Sequence, residues 1–179
     1  MTQYVSTMTD KFFVLTGPPG SGKSTLLQHL RTLGFQGIDE PARQILAEQR
    51  SIEGKGSRDA RLFVELMLSR MIGEYNRIET PTAPVFFDRG IPDTLVYASH
   101  SGFDYPPGQN AARKYRYNRR VFFAPAWEQI YTTDEERKAS FQQASRFGDD
   151  LREIYQQCEY VLIDLPCLPV KERVEFILH

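Results

Sequence analysis

The chain has 179 residues, 41% hydrophobic and 25% charged, with a formal net charge of −1, which suits one soluble core and gives no global pull toward nucleic acid or anionic membranes. No apolar run is long enough to span a bilayer, and the first ten residues, MTQYVSTMTD, have neither the basic start nor the apolar stretch of a secretory signal. Cys158 and Cys167 match neither a C-x-x-C nor a zinc pattern, and His29, His100 and His179 lie far apart, so the composition predicts a cytoplasmic protein without a histidine or cysteine metal site.

In chain order, residues 1–10 read as a flexible extension of one domain covering 1–179. Residues 11–16, KFFVLT, form a short apolar run that predicts a buried strand. Gly17, Pro18, Pro19, Gly20, Ser21, Gly22, Lys23, Ser24 and Thr25 follow, and they fit the pattern G-x-x-x-x-G-K-[ST]. Glycines there let the backbone turn so that successive N–H groups face one concavity. In such a loop the lysine, Lys23, meets the β- and γ-phosphates, and the hydroxyl of Ser24 is an expected Mg²⁺ ligand. Leu26, Leu27, Leu30 and Leu33 then repeat at helical spacing, and Gly34 stops that helix. Strand, glycine-rich loop and helix N-terminus together predict a phosphate site.

A second strand is predicted over 35–39, a helix over 41–48 opened by Pro41, and a flexible loop over 51–57. A long helix over 59–78 carries an apolar face from Leu62 to Ile78, and 80–84 breaks it. The run 85–88, VFFD, reads as a central third strand. Helices follow over 92–99 and 111–118, with a loop over 102–108 between them. A fourth strand is predicted over 121–124. Thr133-Asp-Glu-Glu136 reads as a capping box opening a helix toward Cys158, with a possible break at Gly148. A fifth strand over 160–164 and an amphipathic helix over 170–178 close the chain.

Five apolar strands alternating with helices predict an α/β fold, a five-stranded parallel sheet with helices on both faces. Ligands in such sheets bind at the carboxyl ends of the strands. Asp88 ends the third strand and is placed to hold Mg²⁺; Arg89 after it can clamp a phosphate or an acceptor. Glu40, after the second strand, can accept a proton from an attacking hydroxyl, although an acid ahead of a proline-started helix is also an ordinary cap; Asp39 shares that position. Arg43 can pair with either acid or with the acceptor. Arg137, ahead of Lys138 and Arg146, is the first choice for a cation on a lid over about 133–148. The basic, aromatic stretch 113–120 suits nucleic acid or a solvated helix, and Trp127 suits either an adenine edge or packing.

Beyond these readings, nearly the whole chain resembles small P-loop proteins of the AAA family described as predicted ATPases. GPPGSGKST, FFDRGIPDTLVYA, VFFAPAWEQIYTTDEERKASF and VLIDLPCLPVKERVEFIL carry that resemblance. The family is similar in fold to nucleoside and nucleotide kinases. Asp39-Glu40-Pro41 and Asp88-Arg89 resemble the acid-proline and acid-arginine pairs of deoxynucleoside and thymidylate kinases, which implies Glu40 near an acceptor. Gly90 departs from the Tyr, His or Ser often found there, and no compact arginine-rich lid is present. The resemblance implies a three-layer P-loop NTPase using ATP and Mg²⁺, with catalytic Lys23, Glu40, Asp88, Arg89 and Arg137 and a small-molecule acceptor. An ATPase or switch with a protein or nucleic-acid partner is the alternative.

Overall fold

A computed structural model describes residues 8–53, 59–132 and 139–179. Its five strands are β1 (Phe12–Thr16), β2 (Gln36–Ile38), β3 (Val85–Asp88), β4 (Arg120–Phe123) and β5 (Val161–Asp164). They run parallel in the order β2-β3-β1-β4-β5. The helices are α1 (Lys23–Thr32), α2 (Ala42–Glu53), α3 (Ala60–Arg77), α4 (Asp93–His100), α5 (Pro106–Lys114), α6 (Phe141–Gln157) and α7 (Val170–Leu178).

The inner strands β1, β3 and β4 are apolar apart from Thr16, Asp88 and Arg120 at their ends, because both faces are covered. On one face Phe12, Val14, Val85, Phe87, Val121 and Phe123 pack against α2 through α6. On the other, Leu15, Phe86 and Phe122 meet Leu26, Leu27 and Leu30 of α1 and Val174 and Ile177 of α7. Side chains that alternate along each strand thus feed two separate cores. This is the expected α/β architecture, with helices on both sides of a parallel sheet.

Three elements differ from the sequence expectation. α5 begins at Pro106 rather than Ala111, because Pro106 and Pro107 occupy the first helical positions, where no N–H is needed. α2 continues to Glu53. α6 starts at Phe141, capped by Ser140, whose hydroxyl accepts from the Gln143 N–H while the Gln143 side chain accepts from the Ser140 N–H. The predicted capping box at 133–136 lies outside the described residues, as do Arg137, Lys138 and the loop residues 54–58. α6 also runs through Gly148 unbroken. A Cβ there would lie 3.2 Å from Pro18, so the glycine lets the helix approach the loop after β1. Residues 141–148 of the expected lid are therefore the first turns of a packed helix.

Candidate active site

The register of β1 on β3 pairs Leu15 with Asp88, so Asp88 ends its strand beside the loop that follows β1. That loop, Gly17–Gly22, bends sharply against β4: a Cβ on Gly17 would lie 2.1 Å from the Ala124 carbonyl oxygen. Lys23 opens α1 and folds back over the loop. Its Nζ donates to the carbonyls of Gly17 and Pro18, both at 2.9 Å. Burial, helped by the nearby Arg89 guanidinium, pushes the Lys23 ammonium down to about 8.

Ser24 Oγ donates to Asp88 Oδ2 at 2.9 Å. Asp88 Oδ1 is buried and has no hydrogen-bond partner. Burial raises the Asp88 carboxyl above its ordinary range, against the pull of Lys23. A hydroxyl and a carboxylate with an unanswered oxygen beside a phosphate loop form a hard-oxygen donor set that fits Mg²⁺. Among the described residues no cluster of three His, Cys, Asp or Glu offers a separate metal cage.

Arg89 turns the chain out of β3 with φ 73°, the left-handed region that few non-glycine residues adopt. Its N–H donates to the Leu15 carbonyl at 3.0 Å. The guanidinium is 3% exposed and sits between two acids. Nε donates to Glu40 Oε1, and Nη1 donates to Asp93 Oδ1 at 2.8 Å and to the Gly17 carbonyl at 3.1 Å. Burial opposes that charge, but Glu40, Tyr97 and Asp93 more than restore it and hold the guanidinium well above its usual pKa.

Glu40 also accepts from the Tyr97 hydroxyl at 3.1 Å. Burial pushes its carboxyl up, and Arg89 and Lys23 outweigh that and hold it below the ordinary value. Glu40 is therefore an ionised carboxylate at neutral pH, held in place by Arg89 and Tyr97. Asp39 does not share the site. Its carboxylate faces Arg31, which donates Nη1 to Oδ1 at 2.9 Å and Nη2 to Oδ2 at 2.8 Å.

The sequence reading missed Asp93, Tyr97, Tyr155 and Arg173. Asp93 is fully buried and accepts from Thr16 Oγ1 at 3.0 Å, Gly90 N at 3.1 Å and Tyr155 OH at 2.6 Å, besides Arg89. Its spacing from Arg89, four residues across the turn between β3 and α4, was a readable signal. Tyr155 arrives from α6 and carried none. Arg173 was readable as a charge on the apolar face of α7, in step with Val170 and Ile177. Gly90, the departure from the kinase pattern, follows from this packing: a Cβ there would lie 2.7 Å from the Tyr155 hydroxyl.

A cavity of about 640 Å³ joins these parts. Gly20, Gly22, Lys23, Ser24 and Thr25 form its floor, and Glu40, Arg43, Leu46, Arg89 and Tyr97 line one side. Trp127, Ile130, Leu168 and Arg173 line it as well. Arg146 is exposed on α6 and is not among the cavity-lining residues. The basic stretch 113–120 ends α5 and leads into β4, so it lies at the amino-terminal end of the sheet, opposite the phosphate loop. Within it Arg116 stacks on Tyr160 at 4.2 Å and donates to the Cys158 carbonyl at 2.8 Å.

Residues 12–173 match the family model described as an AAA domain. No curated protein matches the sequence. Solved structures do. Deoxyadenosine kinase from M. mycoides aligns with a TM-score of 0.64 at 15% identity, over 93% of this chain and 96% of that one. Thymidylate kinase from Ehrlichia chaffeensis gives 0.63 at 16% identity, over 93% and 96%. Shikimate kinase from Acinetobacter baumannii gives 0.52 at 16% identity, over 95% and 92%. At these identities the shared property is the fold.

Proposed function

We propose, because this chain belongs to the AAA-domain family and has a nucleotide-kinase-like fold, that it is a Mg·ATP-dependent phosphotransferase acting on a small hydroxyl-bearing acceptor. One observation carries the reading. An ionised carboxylate, Glu40, is held by Arg89 and Tyr97 on the wall of the same cavity whose floor is the phosphate loop.

In this reading the loop N–H groups from Gly17 to Thr25 and the N-terminus of α1 receive the polyphosphate. Lys23 exchanges its bonds to the Gly17 and Pro18 carbonyls for the β- and γ-phosphates. Ser24 and Asp88 are the residues that would hold Mg²⁺, and the ion would supply neutralisation of charge on the transferring phosphoryl group. Glu40 accepts the proton of the acceptor hydroxyl as that oxygen bonds to the γ-phosphorus and the bridging bond to ADP breaks. Arg89 keeps Glu40 ionised and aimed, and Asp93 fixes Arg89. Arg137 remains the proposed lid cation. Apolar Leu46 and Tyr97 beside Glu40 suit an acceptor with a flat or apolar body.

The test is ADP release from Mg·ATP, alone and with nucleosides, nucleotides and sugar alcohols. One acceptor should raise turnover well above background and emerge phosphorylated. Glu40→Gln should lower transfer by roughly 10²- to 10⁴-fold while Mg·ATP still binds. Lys23→Ala should lose both. Slow release that no acceptor changes would overturn this reading in favour of a hydrolase or nucleotide switch.

A further inference from the structure

Arg173 lies against the phosphate loop. It comes from α7 and is 3% exposed. Nη1 donates to the Ser21 carbonyl at 3.1 Å, and a Cβ on Gly22 would sit 3.0 Å from that nitrogen. Nε is buried with no hydrogen-bond partner. The Trp127 ring centroid lies 5.9 Å from the guanidinium carbon. Among the described residues no carboxylate pairs with Arg173. The other buried cations differ: Arg89 has Glu40 and Asp93, and Lys23 has Asp88 and Glu40 in its field.

A buried guanidinium keeps its proton, so it must be paired or it weighs on the fold. An apolar side chain of similar length would suit this face of α7, whose neighbours Val174 and Ile177 are core residues. The arrangement is that of a cation whose anion is a ligand. Its contacts with Ser21 and Gly22 and its place on the cavity wall say where that anion sits: in the cavity, against the loop.

We propose that Arg173 is a positioning residue for polyphosphate: it holds the Ser21 carbonyl of the loop and supplies a second buried positive charge to the cavity that Lys23 also lines. This rests on the nucleotide reading above. Arg173 acts through the loop and its field, and the bound phosphates supply the missing counter-charge. Occupancy of the loop is thereby coupled to the last helix of the described chain. In the empty protein Arg173 is a burden, and in the loaded protein it is an asset.

The test pairs thermal unfolding without ligand with calorimetric binding of Mg·ATP and of inorganic tripolyphosphate, a probe with no base. Arg173→Met should melt at or above the wild type when empty. It should bind both ligands roughly 10- to 100-fold more weakly, the range for a lost charged hydrogen bond. Arg173→Lys, which keeps the charge without the fork, should recover part of that affinity, whereas Arg173→Gln should not. If wild type binds and Arg173→Met binds equally well, the Arg173 proposal falls and the nucleotide reading stands. An empty Arg173→Met protein that melts below wild type identifies a packing role and also overturns the proposal. If wild type binds neither ligand, both readings fall.

Discussion

Lys23 is a lysine held near its own titration point. Burial brings its pKa from 10.5 to about 8, so within the physiological range a modest rise in pH removes a charge the phosphates need. Mg·ATP affinity should therefore fall as pH rises through about 8, and calorimetric titrations between about pH 7 and pH 9 check this. The effect on the fold has the opposite sign. Between about 8 and 10.5 the unfolded chain holds a proton that the folded Lys23 has lost. This group therefore makes the empty protein more stable as pH rises through that window. Opposite slopes for binding and for stability would be the signature of Lys23. Asp93 poses a simpler test. Asp93→Ala strands the Arg89 guanidinium against Glu40 alone, and breaking such a buried pair typically costs about 3–5 kcal/mol, read as a lower denaturation midpoint.

At the scale of elements, α6 meets the turn between β3 and α4 in part through the Tyr155 hydroxyl, which donates to Asp93 at 2.6 Å past Gly90. Gly90→Ala should cost about 1–3 kcal/mol by overpacking. Removing the opposing hydroxyl in Tyr155→Phe should make the second change cheaper in the double variant than alone. A double-mutant cycle on denaturation midpoints measures that coupling; strict additivity would sink the account. These elements also show where sequence was readable. The inner strands β1, β3 and β4 announced themselves because both of their faces are apolar, and Asp88, Arg89 and Glu40 were read as strand-end residues. α5 was misplaced because Pro106 and Pro107 read as breakers when they start a helix. The cap of α6 at Ser140 was missed because Thr133-Asp-Glu-Glu136, outside the described residues, already offered a capping box. The carboxylate Asp93 had a local partner four residues away. Tyr155 and Arg173 act across 62 and 152 positions of chain, and no local pattern encodes a hydrogen bond of that span.

Across the molecule, the sheet order puts the first strand in the middle. β1 takes β3 on one side and β4 on the other, so the loop it carries is braced only by strands made much later. The two cores are equally interleaved: α1 packs with α7, the last helix, across the sheet face that holds Leu15 and Phe122. A chain cut after residue 118 lacks β4, β5, α6 and α7. It should show no cooperative unfolding transition and no Mg·ATP binding, measured by circular dichroism and calorimetry.

The central position of β1 has a consequence for synthesis on the ribosome. The nine residues of the phosphate loop leave the exit tunnel early, yet they cannot become a binding site until the strands on both sides have emerged. Arg173 lies on α7, which follows every strand of the sheet, so its support arrives after the loop has been walled in. A nascent chain stalled before β4 would carry the complete motif without the strand that flanks β1 on one side. On the nucleotide reading, ligand capture would thus report that the sheet around the loop has been completed.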